Sequence, residues 1–221
     1  MPIPTNHAKP VRLTAKESAF QQLQQWIIDG TLQPEEKLVD TDLAQALNLS
    51  RTPIREALQL LEVQGFVEMF PGKATRVTKV VKDDVENLLP PLAALQSLAA
   101  QLATPKFTAE DLASLSETNG RFIQAIEEKD DFNALKIDEE FHQIIVDAAD
   151  NPYIHTMLDR LQAHVRRLFF HNAIILGERS SEEHEEIIKA FKQKNPERAA
   201  EMMRTNWVRT IDDLTLIGQN N

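Results

Sequence analysis

The sequence predicts a mainly α protein: an N-terminal winged helix-turn-helix followed by an all-α helical bundle. Three observations carry that reading. Asp42 to Gln64 has the pattern of two short helices joined by a tight turn, β-like runs follow at once, and from Asp83 onward apolar residues recur at helical spacing almost without strand signals. With 221 residues, one or two domains and a core of ordinary size are expected. The divisions read from the pattern are a flexible arm over 1–12, a winged helix-turn-helix unit over 13–81 and an all-helical unit over 82–221.

The elements follow in order. Ala15 to Asp29 is amphipathic, with Phe20, Leu23, Ile27 and Ile28 on one side. Leu43, Ala44 and Leu47 form one buried face of the next short helix, and Asn48 ends it in a position that tolerates a left-handed turn. Ser50 is the expected N-cap of a helix over Arg51 to Gln64, with Pro53 in its first turn, where a missing N–H is harmless. That helix buries Ile54, Ala57, Leu58 and Leu61 and exposes Arg51, Thr52 and Arg55. A helix start bearing donors and cations suits a phosphate backbone, and its arginines suit guanine edges in the major groove. Phe66 to Phe70 and Thr75 to Val77 are short strand-like runs around Pro71-Gly72-Lys73, the wing. A plain helical hairpin with solvated arginines would explain the motif alone, but not the helix before it and the β-hairpin after it.

Residues Ile27 to Leu38, Asp42 to Glu68 and Pro71 to Val77 resemble the GntR family of bacterial transcription regulators; the run SRTPIREAL is the most specific part. The resemblance implies DNA contacts from Ser50, Arg51, Thr52 and Arg55, with Gly72 and Lys73 at the wing tip. Two positions depart from the family: Glu35 and Asn48 stand where glycine is frequent, and both can occupy a turn.

The bundle is expected as helices over 83–103, 108–129, 132–149, 152–175, 180–193 and 196–217. Thr108 to Asp111 has a capping-box pattern, and Asn151-Pro152 and Asn195-Pro196 open two others. Pro90-Pro91 should kink the first helix or delay its start. Charge divides the chain as well: residues 1–81 carry 9 Lys+Arg and 9 Asp+Glu, whereas 82–221 carry 15 and 25, so the whole net charge of −10 lies in the bundle. A neutral unit would touch DNA while an acidic one stays away from phosphates. There is no cysteine, so neither disulfides nor thiolate metal sites can form. No apolar run approaches the ~20 residues of a membrane span, and the first residues lack a signal-peptide core, which makes a cytoplasmic location the expectation.

Within the bundle, Asp138 and His142 are i, i+4 on one helical face among Ile137, Phe141, Ile144 and Ile145, and His184 opens a later helix. A carboxylate and two imidazoles converging make a divalent-metal site; two unrelated, hydrogen-bonded histidines are the alternative. Arg166 and Arg167, with His164 and His171 nearby, could receive a carboxylate, or form only solvated surface pairs.

Residues from about 83 to 217 resemble the FCD ligand-sensing domain of the FadR branch of GntR regulators, through Asp138 to Ile154, Leu158 to Leu168 and Glu182 to Met203. The resemblance implies a metal held by Asp138, His142 and His184, with Asn206 at a fourth position where the family has histidine. It also implies a small organic acid as effector, completing the shell of a divalent ion such as zinc or nickel. Leu92 stands where the family often has an arginine. The function expected is a homodimeric, operator-binding regulator, a repressor rather than an enzyme. A metal-dependent hydrolase and a constitutive DNA-binding protein with a structural metal are the alternatives.

Overall fold

The computed structural model describes residues 13–70, 74–81, 83–172 and 178–219. The chain divides into two compact units, Met1–Lys79 and Val80–Asn221. The expected arm over 1–12 and the wing-tip residues Gly72 and Lys73 lie outside the described residues.

The first unit begins with α1 (Ala15–Ile28). Thr14 caps it by accepting from the Glu17 N–H at 3.2 Å, while the Glu17 carboxylate accepts from the Thr14 N–H at 2.8 Å. Its buried face is Ala19, Leu23, Ile27 and Ile28, with Phe20 only half-buried, and it packs on α3 (Arg51–Val63) through the buried Ile54, Ala57, Leu58 and Leu61. Between them lies α2 (Asp40–Ala46), which starts two residues before the run read as its beginning. The turn from α2 to α3 is a Schellman arrangement: the Leu49 N–H donates to the Ala44 carbonyl at 2.9 Å, the Asn48 N–H to that of Gln45 at 3.2 Å, and Asn48 is left-handed at φ 51°. Glu35, the other family glycine position, is left-handed too, at φ 67°.

Ser50 holds the N-cap place with extended backbone, but its hydroxyl makes no capping hydrogen bond, contrary to expectation. The third residue of α3 is Pro53, which has no N–H to offer such a cap.

The end of α3 is a second Schellman turn. Phe66 N–H meets the Leu61 carbonyl and Gly65 N–H that of Glu62, both at 2.9 Å, with Gly65 at φ 80°. This turn aims the chain into β2 (Val67–Met69) and seats Phe66 in the core, fully buried. β3 (Thr75–Val77) pairs antiparallel with β2, Val67 opposite Val77, and on its other edge with β1 (Lys37–Leu38). The sheet order is β1-β3-β2, and β1 has no counterpart in the sequence expectations. A Cβ at Gly65 would be strained, so Gly65→Ala should destabilise this unit by about 1–2 kcal/mol. Urea denaturation followed by circular dichroism checks this; an unshifted first transition would contradict it.

The second unit is α4 (Asp83–Ala103), α5 (Ala109–Glu127), α6 (Asp131–Ala149), α7 (Pro152–Asn172), α8 (Glu178–Lys192) and α9 (Pro196–Gln219). The three expected caps form: Thr108 accepts from the Asp111 N–H, Asn151 from Tyr153 and Ile154, and Asn195 from Arg198. α4 packs on α6, α7 and α9, α5 on α6 and α8, and α8 on α9. Pro90 and Pro91 do not delay α4; they lie inside a helix running from Asp83, whose neighbouring Leu89, Leu92 and Ala93 are buried in the core. Burial of that apolar face offsets the backbone hydrogen bonds two prolines forgo. Leu92 is fully buried, so the arginine place of the family is here part of the apolar core.

Candidate DNA-reading tip and candidate metal centre

At the start of α3, Ser50, Arg51, Thr52 and Arg55 are all exposed. Arg51 and Arg55 lie one turn apart and share a partner that sequence reasoning missed. Asp40, the first residue of α2, accepts from Arg51 Nη2 at 2.9 Å and Nε at 3.3 Å and from Arg55 Nε at 2.6 Å. These bonds, that from Arg51 foremost, hold the Asp40 carboxyl below the usual aspartate range. No sequence pattern marks a contact across a turn between residues 11 and 15 apart.

In the second unit Asp138 and His142, from α6, meet His184 from α8, all buried. Asp138 Oδ2 is 3.8 Å from His142 Nε2, and Asp138 Oδ1 is 3.3 Å from His184 Nε2. The His184 ring stacks on Phe141 with centroids 3.9 Å apart, and Phe122 lies 5.0 Å from it. Its Nδ1 lies 3.1 Å from the side-chain oxygen of Asn119, a buried residue of α5. With Asn119 oriented by its amide nitrogen toward the Ser181 carbonyl at 3.5 Å, that oxygen accepts the Nδ1–H, which leaves Nε2 facing Asp138. Burial, reinforced by His184 against the pull of Asp138, pushes His142 down to about 4, so it is a neutral imidazole at ordinary pH. Burial raises Asp138, but the cationic forms of His142 and His184, with Arg209, outweigh it and hold its pKa below the usual value.

This donor set fits a divalent ion. Ligands about 2.1 Å from a tetrahedral centre stand roughly 3.4 Å apart, a separation that lies between the observed distances of 3.3 and 3.8 Å. His184 Nε2, which faces Asp138, is buried without a hydrogen bond, an arrangement that costs free energy unless something fills it. Asn206, on α9, is buried and donates its amide to Glu183 at 3.0 Å. Glu183 also takes Arg209 at 2.7 Å, so the Asn206 amide is held at its nitrogen end.

Arg167 is buried and Arg166 half-exposed, the latter 3.3 Å from Glu139. Burial pushes Glu139 up to about 7 despite Arg166. Glu140 instead faces Arg121, in two hydrogen bonds of 2.8 and 2.9 Å. Further buried polar atoms of this unit lack a hydrogen bond: Gln96 Oε1 on α4, Glu139 Oε1 on α6, Arg166 Nε on α7 and Trp207 Nε1 on α9. Gln96 and Asn119 had no signal in the sequence, since a polar residue on a helix declares its burial only through the packing around it.

Two family models match the chain: one described as bacterial regulatory proteins, gntR family, over residues 15–77, and one described as the FCD domain over 91–207. The HTH-type transcriptional regulator YdhC of Bacillus subtilis is 28% identical over 183 residues, 81% of this chain and 82% of its own. McbR of Escherichia coli is 30% identical over 132 residues, 60% of each chain. Its solved structure superposes with a TM-score of 0.79 at 24% identity, covering 95% of this chain and all of that one, which shows the shared fold. The HTH-type transcriptional repressor RspR of E. coli is 23% identical over 220 residues, 98% of this chain and 94% of its own.

Proposed function

As the chain belongs to the GntR family of bacterial regulatory proteins and carries an FCD domain, it is a transcription regulator, and we propose that a small carboxylate bound in its helical unit controls its grip on operator DNA. The hydrolase alternative falls with the family, whose members matched here are regulators. The observation that carries the proposal is the buried convergence of Asp138, His142 and His184 in a chain whose other unit exposes Ser50, Arg51, Thr52 and Arg55 from one helix start.

In this reading Asp138, His142, His184 and the Asn206 carbonyl oxygen hold a divalent ion, zinc or nickel by donor type. In a shell larger than tetrahedral, such an ion would leave room beside these residues for a carboxylate oxygen. Arg166 and Arg167 add cationic donors, and the unsatisfied atoms of Gln96 and Trp207 supply an acceptor and a donor for the rest of the effector. Asn119 holds the His184 tautomer; since such supporting bonds are worth about 10–100-fold in metal affinity, Asn119→Ala should weaken metal binding by that factor. Competition with a chelating dye measures it, and unchanged affinity would remove Asn119 from that role.

The reader acts as a homodimer on two half-sites, with Arg51 and Arg55 on base edges, Ser50 and Thr52 on phosphates, and Gly72 and Lys73 at the wing. Effector favours one arrangement of the paired readers, a population shift whose coupling is of order 1–3 kcal/mol. Repression relieved by effector is the sign we favour, supported by the repressor RspR among the relatives. Selection from a pool of randomised duplexes with the full-length protein tests the reading. Enrichment of a two-half-site sequence is expected; no enrichment would contradict it. The place of action is the cytoplasm, and no helix among the described residues is long and apolar enough to cross a membrane.

A further inference from the structure

Stability does not explain why one carboxylate gathers both arginines of the reading helix. The side chains of Arg51 and Arg55 are 53% and 59% exposed, and ion pairs so open to water contribute little. The geometry is more telling than the strength. Arg51 gives Asp40 a whole edge of its guanidinium, Nε and Nη2 together. Arg55 gives only Nε, at 2.6 Å, and among the described residues no hydrogen bond holds its two terminal amino groups. A guanidinium is planar and rigid, so fixing Nε against a carboxylate fixes the plane and leaves the terminal pair directed away from it. That terminal pair has the spacing to bond O6 and N7 of one guanine.

We infer that Asp40 is a positioning and specificity-determining residue of the DNA reader, bracing Arg55 through Nε so that its terminal amino groups meet a guanine edge already aligned. The inference rests on the reading of α3 as the helix that enters the groove. It carries a cost that serves as its signature. A carboxylate beside the phosphates repels DNA of any sequence, so Asp40 raises discrimination while lowering general affinity. An autoinhibitory carboxylate would lower both, and a merely structural one would support both.

The test uses the full-length protein with two probes: the duplex that wild type enriches from a randomised pool, and a scrambled duplex of the same length and composition. In Asp40→Ala, affinity for the enriched duplex should fall roughly tenfold, the scale of one bidentate guanine contact, while affinity for the scrambled duplex rises a few-fold. A repeated selection with this variant should lose preference at the same base pair that Arg55→Ala relaxes. Asp40→Asn, which keeps the shape and one acceptor but not the charge, should move both affinities in the same directions by less. Affinity rising on both probes, falling equally on both, or an unchanged ratio in either variant would overturn the inference. If wild type itself enriches nothing, the underlying reading fails instead, an outcome distinct from discrimination that survives in Asp40→Ala.

Discussion

Arg55→Ala should bind the preferred duplex roughly tenfold to a hundredfold more weakly than wild type while remaining folded. The reasoning begins with exposure: Arg55 is on the solvent side of α3, opposite the buried Ile54, Ala57, Leu58 and Leu61, so its removal leaves no cavity. Among the described residues its side chain pairs with Asp40 alone, in an open ion pair worth at most about 1 kcal/mol after solvent screening. A bidentate arginine–guanine contact is worth about 1–3 kcal/mol of discrimination, and one lost cation also flattens the salt dependence by about one unit of slope. Arg51→Ala should weaken binding as well. Anisotropy titrations at fixed salt, with circular dichroism as the fold control, measure both. Undiminished affinity in either variant would remove that arginine from the contact set.

The second large effect is expected at His142. It is almost wholly buried, its Nε2 faces Asp138, and its Nδ1 lacks a hydrogen bond. If supporting residues are worth 10–100-fold in metal affinity, a direct ligand should exceed roughly 100-fold. His142→Ala should therefore lose bound metal and the effector response, while the separate N-terminal unit still binds the duplex. Metal analysis of the dialysed protein, paired with thermal unfolding with and without added zinc, reads this out. Full metal occupancy in the variant would rule out the ligand assignment.

What could be read in advance follows from how far each signal reaches along the chain. Asp138 and His142 were legible because i, i+4 spacing alone puts them on one face; His184, 42 residues beyond His142, could only be offered as a partner. Asn119 was hidden because its side-chain oxygen meets a ring that only packing brings to it. β1 was hidden because two residues carry no alternation, and its partner β3 lies far along the chain. Helix positions were clear from apolar periodicity, yet their ends lacked the usual glycine: Lys129, Asp150 and Lys194 take the left-handed places at φ 58°, 50° and 51°. Ser50 shows the opposite case, a cap residue type in a cap position that makes no side-chain capping bond, with Pro53 removing one of the two N–H groups such a bond could use.

One titration bears on the whole account. Full-length protein, loaded with zinc and bound to its enriched duplex, is titrated with a small carboxylate that raises its melting temperature. A change in duplex affinity of about 5–150-fold is expected, absent in His142→Ala. Equal affinity with and without a carboxylate that demonstrably stabilises the protein would mean that the helical unit binds its ligand without instructing the reader.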